Sequence, residues 1–154
     1  MSGGDKNGWE SSLSRETVMD AVVAQMKKDA FAKKLGIELV EVEPGRAKVR
    51  MRVGPEHRNS VGMVHGGVIF TAADYAFAVA CNSHGTVAVA INVSVSFLRP
   101  AKGEVLEAEA AEVSKSRTLG TYDVKVSDGE GRLVSVFRGM AYRTGEAFAE
   151  AGED

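Results

Sequence analysis

The stretch from Gly66 to about Gly85 has apolar residues on every face of a helix, and Asp74 is its only formal charge. A helix that is apolar all round belongs in the interior of a protein. It is short for a membrane span and carries its carboxylate near the middle. We therefore predict a central core helix that begins at Gly66-Gly67 and ends between Asn82 and Gly85, and the remaining chain must cover it.

Alternation of apolar with small or polar residues predicts strands on both sides of this helix. The clearest example is Val87 to Phe97, which is followed by Arg99-Pro100. The predicted strands cover residues 37–42, 47–53, 87–97, 104–113, 121–127 and 133–142, with a loop over 55–64 and a turn over 128–131. Such a sheet needs a layer on its apolar face, and the core helix is the only segment apolar enough. The sequence thus predicts an α+β fold, with an antiparallel sheet of about six strands wrapped around a long central helix.

The two ends of the chain differ from this middle part. Residues 1–13 are polar and rich in Gly and Ser, which predicts a disordered segment. Ser14 can cap an N-terminal helix that runs to about Lys34, and Gly36 is a stop signal for it. Residues 14–144 then form a single domain, and residues 145–154 form an acidic tail that frays.

Composition excludes several classes of partner. The net charge is −2 and the basic residues are spread along the chain, so neither a nucleic acid nor an anionic membrane is indicated. Cys81 is the only cysteine, and no signal peptide opens the chain, so we expect a cytoplasmic protein. Three histidines and one cysteine in no ligand spacing predict no metal site.

Asp74 is the first candidate for chemistry, because its neighbours in sequence are apolar. A carboxylate that leaves water without a partner either raises its pKa or requires hydrogen-bond donors. Such a group suits a general base or a nucleophile. A structural aspartate bonded to a backbone amide or a hydroxyl group is an equally open alternative.

The second candidate is the start of the core helix, with Asn59, Gly62, His65, Gly66 and Gly67 leading into it. Glycines there let another molecule approach the backbone closely. The first N–H groups of a helix have no intrahelical partner, and the helix dipole favours negative charge at this end. These groups can polarise a carbonyl. The alternative is that the glycines only permit tight packing against the sheet.

The distance between the two candidates constrains the assembly. Gly66 and Asp74 are eight residues apart, which is roughly 12 Å along a helix axis. One carbonyl cannot lie within hydrogen-bond reach of both. Two antiparallel copies of the helix related by a twofold axis can place the Gly66 end of one against Asp74 of the other. If both elements act in the chemistry, we expect at least a dimer with two equivalent sites.

The segment His57 to Gly67, continuing to Ala73-Asp74, resembles the signature of the hotdog-fold thioesterases. The segment Ala73 to Ser83 is similar to the phenylacetate-degradation, PaaI-type branch, as are residues 96–100, 121–124 and 136–139. The similarity covers about Phe31 to Thr144. It implies a hotdog fold, and an enzyme that hydrolyses a small aryl acyl-coenzyme A such as phenylacetyl- or hydroxyphenylacetyl-coenzyme A.

The resemblance also implies roles for particular residues. Asp74 would be the general base or nucleophile, and the Gly66 N–H would polarise the carbonyl. Asn59 would orient water or the carbonyl, and His65 would shape the loop. The imidazole of His65 is also a candidate general acid. Ala78 stands where some members carry a hydroxyl group, so a hydroxyl-assisted reaction is not expected. No cofactor is implied beyond the coenzyme A of the substrate, and the implied assembly is a dimer that associates further into a homotetramer.

Other residues are candidates for binding substrate. Basic and hydroxyl groups suit the phosphates of coenzyme A, and aromatic rings suit an acyl pocket. These candidates are Gly67, Arg99, Lys115, Ser116, Arg117, Phe70 and Phe77. Each has a plainer alternative as a solvated strand end or a core residue. Two other functions stay open, a hotdog-fold hydratase or dehydratase and a non-catalytic module that binds acyl-coenzyme A.

Overall fold

The computed structural model describes residues 7–148, and side chains from residue 16 onward. The helices and strands follow in chain order. They are α1 (Asn7–Met26), α2 (Ala30–Leu35), β1 (Glu38–Glu43), β2 (Arg46–Arg52), α3 (Gly66–Asn82), β3 (Thr86–Phe97), β4 (Val105–Lys115), β5 (Leu119–Asp128) and β6 (Leu133–Ala147). A single 3₁₀ turn, Pro55–His57, lies in the loop between β2 and α3.

The six strands form one antiparallel sheet in the order β1-β2-β4-β5-β6-β3. Helix α3 packs across β2, β4 and β5, and its apolar side chains form the core with the inward-facing residues of these strands. The predicted α+β architecture, a six-stranded sheet around a central helix, is therefore confirmed. None of the helices in the described part of the chain is both long and apolar enough to cross a membrane.

The end of α3 is fixed to the start of β3 by Asn82, which is buried. Its side-chain Nδ2 donates to the Ala78 and Ala88 carbonyls at 2.8 and 3.3 Å, and its Oδ1 accepts from the Ala88 N–H at 2.9 Å. The amide group thus pairs both polar groups of Ala88 where the chain leaves the helix. Helix α3 therefore has a defined orientation relative to the sheet.

The N-terminal helix differs from its prediction in two respects. It begins at Asn7, so residues 7–13, which we predicted to be disordered, belong to α1; residues 1–6 lie outside the described part. It also does not run unbroken to Lys34. Asp29 adopts an extended conformation and its Oδ1 accepts from the Ala32 N–H at 2.9 Å, which caps a separate helix α2. An aspartate is a strong helix-start residue, and this cap interrupts the predicted helix.

The C-terminal prediction also needs correction. Strand β6 continues through residues 145–147, which the sequence predicts to be part of a fraying tail, and Thr86 pairs with Ala147. Phe148 is buried, and its N–H donates to the Gly85 carbonyl at 2.7 Å. Pairing with β3 thus orders the chain beyond Tyr142, where the prediction ended the strand. Residues 149–154 of the predicted tail lie outside the described part.

Gly139 on β6 makes room for an aromatic cluster in the core. A Cβ atom at this position would lie 2.8 Å from the Phe77 ring and 3.0 Å from the Phe137 ring. The Phe77 ring contacts the rings of Phe137 and Tyr122, with centroids 5.6 and 5.7 Å apart. A side chain at position 139 would therefore push the Phe77 ring, which extends from α3, out of its place in this cluster.

We expect Gly139→Ala to lower the free energy of unfolding by about 1–3 kcal/mol, because it overpacks this cluster. Phe77→Leu shortens the side chain that the new methyl group meets. The double variant should therefore lose less than the sum of the two single variants, as urea titration would show. Strictly additive losses would mean that Gly139 does not act through Phe77.

Candidate active site

Helix α3 has one face that its own chain does not bury. Eleven of its residues are buried, and the others are half-buried or exposed. We call these remaining residues the open stripe: Gly66, Gly67, Phe70, Thr71, Asp74 and Ala78. Their spacing of three and four places them along one side of the helix. The helix predicted to lie wholly inside the protein thus has one surface left for another molecule.

Asp74 lies in the open stripe without a partner. Its carboxylate accepts no hydrogen bond and forms no ion pair with any side chain or backbone group that the structure describes. Burial is the main cause that raises the pKa of Asp74, and the negative charge of Asp29 raises it further. The single chain therefore does not support the alternative in which Asp74 is a structural residue bonded to a backbone amide or a hydroxyl group. A raised pKa makes this carboxylate a better proton acceptor once it is ionised.

The start of α3 presents one free amide. His65 is the N-cap residue, and its Nδ1 accepts from the Gly67 N–H at 2.8 Å. The Val68 and Ile69 N–H groups donate to the His65 carbonyl at 2.9 and 3.2 Å. The Gly66 N–H has no acceptor among the described residues. The Gly66 amide is thus available to a bound carbonyl, whereas that of Gly67 is occupied by the cap.

The loop before α3 is held by Asn59. Its Oδ1 accepts from the Val61 and Met63 N–H groups at 3.1 and 3.0 Å, an arrangement typical of asparagine turns. Its backbone N–H donates to the Met63 carbonyl at 2.7 Å. The Nδ2 group has no acceptor in the described part of the chain. The carbonyl oxygen of Asn59 therefore shapes the loop, and its amide nitrogen is free to meet a ligand.

The two aromatic candidates lie in different places. Phe70 is half-buried in the open stripe, and its ring lies 5.6 Å from that of Phe137. Phe77 is only 1% exposed and belongs to the core cluster described above. The chain alone therefore presents Phe70 to a ligand, and Phe77 supports the core behind it. The plainer alternative, a core residue, is the one that fits the position of Phe77.

The basic candidates are divided between opposite ends of the sheet. Arg99 follows β3 at the end where Phe97 pairs with Ser135, and the Phe97 ring lies beside Gly66. The Lys115 to Arg117 turn lies at the other end, where Leu119 pairs with Tyr142. The two partners on β6, Ser135 and Tyr142, are seven residues apart, which is about 23 Å at 3.3 Å per residue. Within one chain, Arg99 and the turn cannot hold the same phosphate.

Hydrogen bonds within the Lys115 to Arg117 turn limit Ser116 as a ligand for phosphate. The Ser116 Oγ accepts from the Leu119 N–H at 3.0 Å and lies 3.3 Å from the Leu119 carbonyl. The Arg143 Nη1 donates to the Ser116 carbonyl at 2.9 Å. Lys115 and Arg117 are exposed and form no ion pair with any described residue. The two cations are therefore freer to meet an anion than the Ser116 hydroxyl group.

Sequence reasoning missed Asp29, whose charge reaches Asp74 from 45 positions earlier in the chain. The only local signal was its place as a helix-start residue before Ala30 to Leu35. The contact that brings this part of the chain near Asp74 is tertiary. The Tyr75 hydroxyl group donates to the Met26 carbonyl at 3.0 Å and holds the end of α1 against α3.

Known proteins share both this fold and this sequence. Residues 61–135 match the thioesterase superfamily. A putative esterase of Archaeoglobus fulgidus is 42% identical over 90% of this chain and 91% of its own. The acyl-coenzyme A thioesterase PaaI of Escherichia coli is 39% identical over 79% of this chain and 88% of its own. The solved structure of the E. coli PaaI protein superposes with a TM-score of 0.81 at 35% identity, covering 86% of this chain and 97% of the other.

The chain therefore belongs to the thioesterase superfamily, in its hotdog-fold, PaaI-type branch. The resemblance inferred from His57 to Asp74 is confirmed, and so is the expected enzyme class, a thioesterase. The matched segment, residues 61–135, includes all of α3 and the open stripe. The roles of individual residues stay predictions that variants can test.

His65 provides such a test, because its imidazole caps α3. We expect His65→Ala to lower the free energy of unfolding by about 1 kcal/mol, since the Gly67 N–H loses its acceptor. His65→Asn offers an acceptor at the same position and should keep more of both stability and activity. Chemical denaturation and thioester hydrolysis would measure the two effects. An equal loss of activity in both variants, with unchanged stability, would instead mean that the imidazole takes part in the reaction.

Proposed function

We propose that this thioesterase hydrolyses small aryl acyl-coenzyme A thioesters to the free acid and coenzyme A. The observation that carries the proposal is the unpaired Asp74 carboxylate in the open stripe, on the same helix as the free Gly66 N–H. A base and a carbonyl-polarising donor are the two groups that hydrolysis of a thioester requires.

In the proposed reaction, Asp74 accepts a proton from a water molecule as the water oxygen attacks the thioester carbonyl carbon. The carbonyl oxygen becomes negatively charged and accepts a hydrogen bond from the Gly66 N–H at a helix N-terminus, which stabilises that charge. The tetrahedral intermediate then collapses and the carbon–sulfur bond breaks. The leaving thiolate sulfur takes the proton that Asp74 accepted from water, which releases coenzyme A as the thiol and returns Asp74 to its ionised form. Direct attack by the Asp74 carboxylate is the other course, and it passes through an anhydride that water must then hydrolyse.

The two groups come from different subunits in this proposal, because they are roughly 12 Å apart on one helix. The open stripe and the edge strand β3 supply surfaces for a second copy. Val89 and Ile91 on this edge strand are 49% and 55% exposed. A long apolar edge strand favours pairing with another strand. Antiparallel pairing of two β3 strands across a twofold axis would lay the two α3 helices side by side in opposite directions.

The acyl group is proposed to be phenylacetyl or hydroxyphenylacetyl. The E. coli PaaI structure is described as a protein from the phenylacetic acid degradation operon. In this chain Phe70 is the aromatic residue of the open stripe, one helical turn before Asp74, and an aromatic ring suits an aryl acyl group. Lys115, Arg117 and Arg99 are the proposed contacts to the phosphates of coenzyme A.

Asp74→Asn tests the central assignment, because it keeps the shape of the side chain and removes the base. We expect thiol release from phenylacetyl-coenzyme A to fall about 10²- to 10⁴-fold. The folded state should persist, since the substitution removes an unpaired charge from a half-buried position. A panel of phenylacetyl, hydroxyphenylacetyl, benzoyl and short- and long-chain thioesters would establish the acyl preference. Normal turnover in a folded Asp74→Asn protein would contradict the mechanism.

The thiol-release assay also distinguishes a thioesterase from the two other functions, a hydratase or dehydratase and a non-catalytic binding module. A hydratase would add water to an enoyl-coenzyme A without releasing thiol, and a binding module would bind acyl-coenzyme A without turnover.

The shared site is tested by removing the Gly66 N–H alone. Gly66 is the first residue of α3, and His65 before it has φ −62° and ψ 133°. Proline is favoured at that helix position, and an extended residue before it is compatible. Gly66→Pro should therefore fold and lose about 10²- to 10³-fold in activity. Gly66→Ala is the matched control, because its Cβ lies 3.5 Å from the Phe97 ring in ordinary contact and its N–H remains.

Mixing the two inactive chains then tests whether the site is composite. In a dimer of one Asp74→Asn chain and one Gly66→Pro chain, one of the two sites has both groups intact. Random exchange makes half of the dimers mixed, so we expect about a quarter of the wild-type activity. No recovery after unfolding and refolding the chains together would mean that each subunit builds its own site.

A further inference from the structure

Strand β3 has an inner face that α3 covers only in part. Val93 and Val95 are half-buried and pack against the core, whereas Phe97, two residues further along, is 53% exposed. Alternate residues of a strand share one face of the sheet, so the Phe97 side chain belongs to this inner face. The end of β3 therefore leaves a large aromatic ring in water on the side of the sheet that forms the core.

The Phe97 ring reaches the start of α3. Its Cε1 and Cζ atoms lie 3.5 Å from the position that a Cβ atom would occupy at Gly66. The Gly66 amide nitrogen is two covalent bonds from that position, so the ring lies within roughly 6 Å of this nitrogen. The Gly66 N–H has no acceptor among the described residues. A thioester whose carbonyl accepts from this N–H group is therefore within reach of the Phe97 ring.

The surface that connects Phe97 to the open stripe is apolar. Val95 pairs with Phe137 of β6, and the Phe137 ring lies 5.6 Å from the Phe70 ring of the open stripe. Phe70 is one helical turn after Gly66 on the same side of α3. These side chains offer no hydrogen-bonding group, so the amide groups of pantetheine would lose water here without gaining a partner. An acyl group suits this surface better, and an aryl group can also pack its ring against the two phenylalanines.

We propose that Phe97 touches the acyl group of the substrate and determines which acyl groups the enzyme accepts. This inference rests on the proposed function, in which the Gly66 N–H binds the thioester carbonyl. The acyl chain begins at the carbonyl carbon, so a ring beside Gly66 limits the width of the space that the chain can enter. Contact between aromatic rings also favours an aryl acyl group over an aliphatic one. Phe97 is thus a specificity-determining residue that takes no part in proton transfer.

The plainer alternative is that Phe97 is only an apolar contact between subunits, because a second copy of the chain would bury exposed apolar side chains. In that case its removal would weaken the assembly and lower the activity towards every substrate in the same proportion. The two roles therefore differ in the ratio of the activities towards different acyl groups.

Phe97→Ala widens the proposed acyl space. We expect kcat/KM for phenylacetyl-coenzyme A to fall about three- to tenfold, because one aromatic contact is lost. The value for the wider 1-naphthylacetyl-coenzyme A should rise, which a general defect in folding or assembly does not produce. Phe97→Leu keeps a bulky apolar side chain and should lie between the wild type and Phe97→Ala. Leu98→Ala is the matched control, since it removes a side chain that is 48% exposed at the next position and should leave the ratio of the two activities unchanged.

The ratio of the two kcat/KM values decides between the roles of Phe97. An unchanged ratio in Phe97→Ala would overturn the inference, and so would a uniform loss of activity together with a lower molecular mass in light scattering. If Phe97→Ala does not fold, an unchanged ratio in Phe97→Leu overturns it equally. If Asp74→Asn abolishes turnover and the ratio does not change, only the role of Phe97 fails. If Asp74→Asn keeps full turnover, the proposed function itself fails.

Discussion

Burial of α3 is the constraint on which the rest of the structure depends. A helix with buried residues on most of its circumference requires a cover, and the six-stranded sheet provides it along β2, β4 and β5. Hydrophobic burial of this kind is the main favourable contribution to folding. The same burial removes water from Asp74 and raises its pKa. One interaction therefore both stabilises the fold and produces the chemical property on which the proposed reaction relies.

Much of the fold was readable from the sequence, because period and composition are local signals. The alternation in Val87 to Phe97 and the uniform apolarity after Gly66 gave the strand and the helix to within a few residues. The Asp128 to Gly131 turn was also confirmed, since Gly131 has φ 75° and the Asp128 side chain accepts from the N–H groups of Glu130 and Arg132. The ends of the chain were less predictable. Phe148 is ordered by pairing with a distant strand, which no local pattern shows.

The candidate site was only partly readable for the same reason. The sequence indicated Asp74 and the glycines at the helix start as the active groups, because each is unusual in its surroundings. It could not show that His65 occupies the Gly67 amide and leaves that of Gly66 free. It also could not place Arg99 and Lys115 at opposite ends of the sheet, since register between strands is a property of the assembled fold. Nor could it show that the end of α1, just before Asp29, is held against α3 by the hydrogen bond from the Tyr75 hydroxyl group to the Met26 carbonyl.

The exposed edge strand β3 would make the stability of the folded protein depend on its concentration. Strand β3 leaves apolar side chains such as Val89 and Ile91 in water, and its outer backbone groups have no neighbouring strand within the described chain. A second copy that covers this edge would bind the folded chain and not the unfolded one, so mass action would raise the apparent stability as the protein accumulates. The dilute, newly made chain would then be the species most exposed to proteolysis and to pairing with the wrong strand.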